Sequence, residues 1–207
     1  MDGDATAGMT GDALRALYGT PSAIVQRKTL DRLDEHCRAF IALSPFLVLG
    51  TAGVDRTADC SPRGDAPGFV TVLDDTTLLL PDRPGNRRID SLRNVAENPE
   101  VALIFFIPGI NETLRINGRA AITTDAAVLA ALAVQGKAPQ SALRITVREA
   151  FLHCAKALIR SHLWDPAAQV ERGALPTLGK MIADQTKMID PGEADKVIAE
   201  SYKTKLY

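Results

Sequence analysis

The strongest constraint on this chain is a succession of short β-type runs between residues 46 and 149: FLVLGTA, TADCSPR, FVTVLD, TTLLLP, VALIFFI, ETLRINGRAAIT and ALRITVRE. They are rich in Val, Ile, Phe, Leu and Thr, and Gly, Asp and Pro punctuate the joints. Three joints, AGVDR, LDDT and PGIN, have hairpin length, so most of the strands must pair antiparallel. Helix-sized segments interrupt the series at 86–98 and 125–134. Others flank it, a helix at 12–18, a long amphipathic one over 22–43 that Pro45 ends, and helical pieces after the last strand broken by Pro166, Pro176 and Pro191. The first ten residues are small and polar and read as a disordered tail. The expected class is α+β: a small antiparallel barrel or strongly bent sheet with flanking helices.

Composition narrows the function. With 207 residues, 46% of them apolar, one core is the default, burying roughly 70% of the extended-chain surface. Lys and Arg number 24 against 25 Asp and Glu, which leaves no global positive field for nucleic acid or acidic membranes, so any basic site must be local. The longest apolar runs fall far short of the ~20 residues of a membrane helix, and the acidic start lacks a leader's basic and apolar regions; the expectation is a soluble, cytoplasmic protein. Cys37, Cys60 and Cys154 are odd in number and widely spaced, so free thiols are expected.

The local basic site is PDRPGNRRIDSL. Leu78, Leu79 and Leu80 run as a buried strand into Pro81, DRPG supplies a loop, and Asn86 is suited to cap the next helix. A helix start presents unpaired N–H groups and partial positive charge, a natural seat for a phosphate. Arg87 and Arg88 in a first turn would oppose the helix dipole, a conflict that an anion removes, and Arg83 can reach the same place. An ordinary capped helix, its arginines solvated or paired with Asp82 and Asp90, explains the stretch equally well. If TADCSPR lies beside the strand ending at Pro81, Ser61 and Arg63 point toward the same anion.

Taken together, CSPRGDAPGFVTVLDDTTLLLPDRPGNRRIDSLRNVAENPEVALIFFIPG, ETLRINGRAAIT and HCAKALIRSHLWDP resemble the pyridoxamine 5′-phosphate oxidase-like flavoproteins, over residues 46–166. The resemblance implies an FMN-binding split barrel, an antiparallel six-stranded barrel with helices around it. Residues 1–45 would then pack on the barrel and residues 167–207 form a helical extension. It places the FMN phosphate on Asn86, Arg87 and Arg88, with Ser61 and Arg63 from the neighbouring strand and Leu80, Pro81 and Asp82 bordering the isoalloxazine ring. It implies a homodimer with FMN between the subunits, an unassigned small-molecule substrate or electron donor, and an FMN-dependent oxidoreductase whose catalytic residues are not identified. The oxidase's arginine- and proline-bearing ending is absent, so pyridoxamine phosphate is not indicated as substrate.

On a helix, His153, Lys156, Arg160 and Trp164 form one stripe, at spacings of three, four and four, beside an apolar stripe of Leu152, Ala155, Ile159 and Leu163. The resemblance suggests that this stripe completes the partner's site; solvated charges and a core tryptophan fit equally. The remaining chemistry is thin. His36-Cys37 and His153-Cys154 lack zinc spacing, and neither a P-loop nor a dinucleotide fingerprint is present. Cys60 reads as a packing residue, and Asp65, Asp74 and Asp75 as turn formers. Two other readings stay open: a noncatalytic flavin- or haem-binding sensor on the same fold, and a flavin-free phosphate-ligand or interaction module.

Overall fold

The computed structural model describes residues 9–207. The expected tail therefore lies outside the described residues, apart from Met9 and Thr10. Seven strands form one antiparallel sheet: β1 (Phe46–Ala52), β2 (Ala58–Gly64), β3 (Thr71–Val72), β4 (Thr77–Pro81), β5 (Glu100–Ile107), β6 (Ile110–Thr123) and β7 (Ala142–His153), in the order β2-β1-β5-β6-β7-β4-β3. The α+β class and the three hairpin joints stand. The strand count is seven rather than six, because FVTVLD contributes the two-residue β3, and no backbone ladder joins β2 to the β4–β3 end among the described residues.

The sheet nevertheless curls around one core. Leu47 and Leu49 of β1 and Leu78 and Leu80 of β4 lie in the same buried cluster although three strands separate them. Phe105, Leu114, Ile116, Leu143 and Ile145 complete its centre, each 2% exposed or less. A bulge in the β6–β7 ladder helps to bend the sheet: Asn117 faces Glu149 while Gly118 faces Val147, leaving Arg148 over. The strands approach so closely there that a Cβ on Gly118 would collide with the Thr146 carbonyl oxygen. Glycine is what that crossing admits.

Helices cover the sheet. The long helix expected over 22–43 is two, α2 (Ala23–Arg27) and α3 (Glu35–Leu43). Between them the chain spends its hydrogen bonds on the sheet: Leu30 exchanges two with Ala150, at 3.0 and 2.8 Å, and Leu33 N–H donates to the Asp75 carbonyl. Asp34 then restarts the helix by accepting from Cys37 N–H at 2.8 Å. Cys37, Phe40 and Ile41 pack α3 on the core, and burial, with the Asp34 carboxylate beside it, pushes the Cys37 thiol up to about 11, so it is a packing group and not a nucleophile. α1 (Gly11–Tyr18), which Thr10 caps, and α2 bury no residue in this chain.

After β5 and β6, α5 (Ala126–Ala131) starts at Asp125 and packs Leu129 and Leu132 against Leu79. Beyond α6 (Lys156–Ser161) come two 3₁₀ turns, then α7 (Leu178–Thr186) and α8 (Pro191–Thr204). Asp195 of α8 ties that last pair, accepting from Thr177 Oγ1 at 2.7 Å and Gly179 N–H at 3.0 Å. No described helix is long and apolar enough to cross a membrane.

Candidate functional site

Where the two ends of the curled sheet approach each other, an open cleft of about 860 Å³ forms between β2 and the segment that follows β4. That is within the ~300–1,000 Å³ common for cofactor sites. Strand alternation leaves Asp59, Ser61 and Arg63 of β2 half-buried and Cys60 and Pro62 exposed, and all five line the cleft. The opposite wall is the chain from Pro81 to Leu92, and a loop around Lys137 and the side chain of Tyr207 close one end. Arg63, Arg83, Arg87, Arg88 and Lys137 line it against the carboxylates of Asp59, Asp82 and Asp90, five cations to three anions. The basic patch that a nearly neutral composition requires to be local is here.

β2 and β4 are not ladder neighbours, contrary to the premise that brought Ser61 and Arg63 to the same place; the curl of the sheet does it instead. Arg63 Nη1 reaches across the cleft to Asp82 Oδ1 at 2.6 Å. Its Nε is buried and has no partner, the one such side-chain nitrogen or oxygen among the described residues. A donor left unpaired away from water costs about 1–3 kcal/mol, a cost that an acceptor beside it would remove.

The Arg87-Arg88 pair also differs from expectation. The helix expected from residue 86 is α4 (Asp90–Glu97), so both arginines precede its first turn, and Asp90 holds the acidic place that the dipole favours. Asn86 is not a helix cap: its Oδ1 accepts from Arg88 N–H at 3.0 Å in a local turn, a short loop that wins over helix because the asparagine side chain competes for the backbone. Arg87 and Ile89 take left-handed φ of 62° and 49°, costly for side-chain-bearing residues and above all for a β-branched one. Arg88 Nε donates to Asp90 Oδ2 at 2.7 Å, as the ordinary-helix reading anticipated. Thr10, Asp34, Thr177 and Asp190 cap α1, α3, α7 and α8, whereas α4 has no side-chain cap and opens its first turn onto the cleft. Ser91 of that turn donates its hydroxyl to Asp59 Oδ2 at 3.1 Å, fastening α4 to β2.

Other expected residues fall elsewhere. Leu80 is 1% exposed in the core and does not line the cleft, because strand alternation turns it inward; Pro81 and Asp82 do line it. Arg83 turns toward Asp65, donating from Nε to Oδ2 at 2.6 Å and from Nη1 to the Leu132 carbonyl at 2.9 Å. Lys156, Arg160 and Trp164 lie outside the cleft. The stripe drawn through them is broken at both ends: β7 runs on to His153, α6 stops at a left-handed His162, and Trp164 beyond it donates its indole N–H to the Ile110 carbonyl.

Three residues enter that sequence reasoning missed. Asp65 is no mere turn former: its side chain is 2% exposed in the pair with Arg83. Burial raises its pKa, but hydrogen bonds from Tyr207, Ala66 N–H and Arg83 outweigh that and hold it below its ordinary value. Tyr207 donates its hydroxyl to Asp65 Oδ1 at 2.6 Å, and Lys137 Nζ donates to the Tyr207 main-chain oxygen at 3.0 Å. Residues 142 positions apart carry no local signal of such a contact.

A family model described as pyridoxamine 5′-phosphate oxidase matches residues 33–154, more than half of the chain. Solved structures similar to it include HupZ from Group A Streptococcus, 18% identical over 58% of this chain and 93% of that one with a TM-score of 0.47. A putative pyridoxamine 5′-phosphate oxidase from Lactobacillus delbrueckii is 18% identical over 59% and 95%, TM-score 0.47. An FMN-binding protein from Syntrophomonas wolfei is 11% identical over 56% and 83%, TM-score 0.46. No curated protein sequence matches the chain.

Proposed function

Because the chain belongs to the pyridoxamine 5′-phosphate oxidase family, we propose that the cleft binds FMN by its phosphate and that the protein is an FMN-dependent oxidoreductase. The observation that carries the reading is a cleft with an excess of cations, lined by Arg63, whose buried Nε has no partner. The residues fit such a group. Arg63 and Arg87, with the uncapped first turn of α4, would take the phosphate; Arg88 would add charge while held by Asp90, and Asn86 keeps the loop in shape. Ser61, Pro81 and Asp82 would border the ring. The strain at Arg87 and Ile89 supports the assignment, since residues held in rare conformations cluster at binding loops.

Bound FMN supplies hydride or electron transfer, chemistry that no side chain of this cleft offers. The protein's share is to hold and shield. Asp82 keeps the Arg63 guanidinium in place across the cleft, and the Arg83–Asp65 pair stiffens its far wall. A cation near the ring would stabilise an anionic reduced flavin. Lys156, Arg160 and Trp164 belong to the further proposal of a homodimer, in which they would complete the second subunit's site. Exposed Ile110, Ile159 and Leu163 around them support that arrangement.

The test is the Arg87→Ala/Arg88→Ala double variant, titrated with FMN and with riboflavin. Hydrogen bonds to charged groups are worth ~1.5–3 kcal/mol, so FMN affinity should fall about 10- to 100-fold and riboflavin affinity hardly at all. Equal losses for both ligands would remove the phosphate role. A purified protein that neither carries flavin nor takes it up would favour the flavin-free phosphate module, with Arg63 and Arg88 as structural ion pairs.

A further inference from the structure

We propose that Asp65, Arg83 and Lys137 form a second ligand subsite within the cleft, for a planar aromatic molecule with a hydrogen-bond donor on its ring and an acceptor that reaches Lys137, and that Tyr207 occupies this subsite as an internal stand-in. It shares the cleft with the proposed FMN site but uses none of the groups assigned to the phosphate.

The geometry is that of a bound aromatic. The Tyr207 hydroxyl donates to Asp65 Oδ1 at 2.6 Å, the Arg83 guanidinium carbon lies 5.8 Å from the ring centroid, and Lys137 Nζ donates to the Tyr207 main-chain oxygen at 3.0 Å. Each contact has a purpose a ligand could serve equally: a donor for a carboxylate, a π face for a cation, an acceptor for an ammonium. The receiving side is preorganised. Asp65 is fixed by Arg83 Nε at 2.6 Å and by Ala66 N–H at 2.7 Å, and Arg83 is fixed by the Leu132 carbonyl. Lys137 sits on a tight turn whose central residues, Gln135 and Gly136, have φ of 52° and 75°, closed by paired Val134–Lys137 hydrogen bonds.

The occupant, by contrast, is lightly held. α8 ends at Thr204, Leu206 is 61% exposed, and Tyr207 contributes nothing to either buried cluster. Polar contacts therefore hold Tyr207 in place, and an exchange of one phenol for another leaves the core untouched. A tethered occupant competes at an effective concentration on the order of millimolar, so the native chain masks the subsite from weak external ligands.

The probe is N-acetyl-L-tyrosinamide, which carries the phenol and an acceptor oxygen, titrated by calorimetry against the native protein, Tyr207→Ala and Tyr207→Phe, with FMN titrated separately into each. Tyr207→Ala should bind the probe at least tenfold tighter than the native protein does, and Tyr207→Phe, which keeps the ring but not the donor, should fall between them. N-acetyl-L-phenylalaninamide should gain less, and adding Asp65→Asn to Tyr207→Ala should abolish the gain. Equal affinities of native protein and Tyr207→Ala for the probe, or equal gains for both probes, would overturn the subsite. So would an FMN affinity that changes more than the probe affinity, which would give the position to the flavin. Failure of every protein to bind FMN would sink the flavin reading alone, and the probe titration would still decide the subsite.

Discussion

Replacing Asp65 by Ala should destabilise the protein far more than a surface carboxylate would, and a double-mutant cycle with Arg83 shows why. The two side chains are 2% and 15% exposed, so the pair is desolvated and little screened. With the carboxylate gone, the guanidinium keeps the Leu132 carbonyl at 2.9 Å as its one hydrogen-bond partner among the described residues. An ion stranded in this way costs about 3–5 kcal/mol. Arg83→Met strands the carboxylate instead, with Ala66 N–H and the Tyr207 hydroxyl still bonded to it, so its cost should lie toward the lower end of that range. The double variant leaves neither charge buried alone. Its loss should be smaller than the sum of the two singles by at least ~2 kcal/mol, within the range of coupling for residues in one network. Urea unfolding of the four proteins measures this from midpoints at constant slope. Additive losses would refute the reasoning, because they would mean that solvent reaches both groups and the cleft wall is not built on their pairing.

Two further outcomes follow from other parts of the molecule. Gly118→Ala should lower the thermal midpoint by about 5 °C or more, since the new Cβ meets the Thr146 carbonyl carbon and oxygen and overpacking costs ~1–3 kcal/mol or more; Gly173→Ala, with open space around it, is the control, and equal midpoints would contradict the close crossing at the bulge. Asp65 has a depressed pKa in the folded protein, so its contribution is present above its ordinary 3.8 and is lost as pH falls through the lower folded value. The stability gap between the native protein and Asp65→Asn should therefore be constant from pH 7 to 5 and narrow below about 4 in urea midpoints, whereas a gap that widened on acidification would have the wrong sign.

Local patterning made much of this architecture legible. The alternating β-rich runs, their hairpin joints and the apolar spacing of Leu33, Cys37, Phe40 and Ile41 are consequences of neighbouring residues, and the antiparallel sheet and the packed face of α3 follow from them. The stretch from Pro81 to Arg88 announced a basic loop for the same reason: its turn formers and arginines are adjacent in the chain. Tertiary contacts decided the rest. Hydrogen bonds from Leu30 to Ala150 split a helix that periodicity alone would have kept whole, and those bonds exist only because β7 lies alongside. Arg88 precedes the first turn of α4 with Asn86 and Asp90 as its partners, and Arg87 beside it takes a left-handed φ. The meeting of Arg63 with Asp82, and of Tyr207 with Asp65 and Lys137, depends on the curl of the sheet and on the docking of residues far apart in sequence. Sequence alone determined which groups this protein carries and what local shapes they prefer; only the folded arrangement of the chain decided which charges are desolvated and which donor is left buried without a partner, because desolvation is a property of the whole packed surface and not of any one segment.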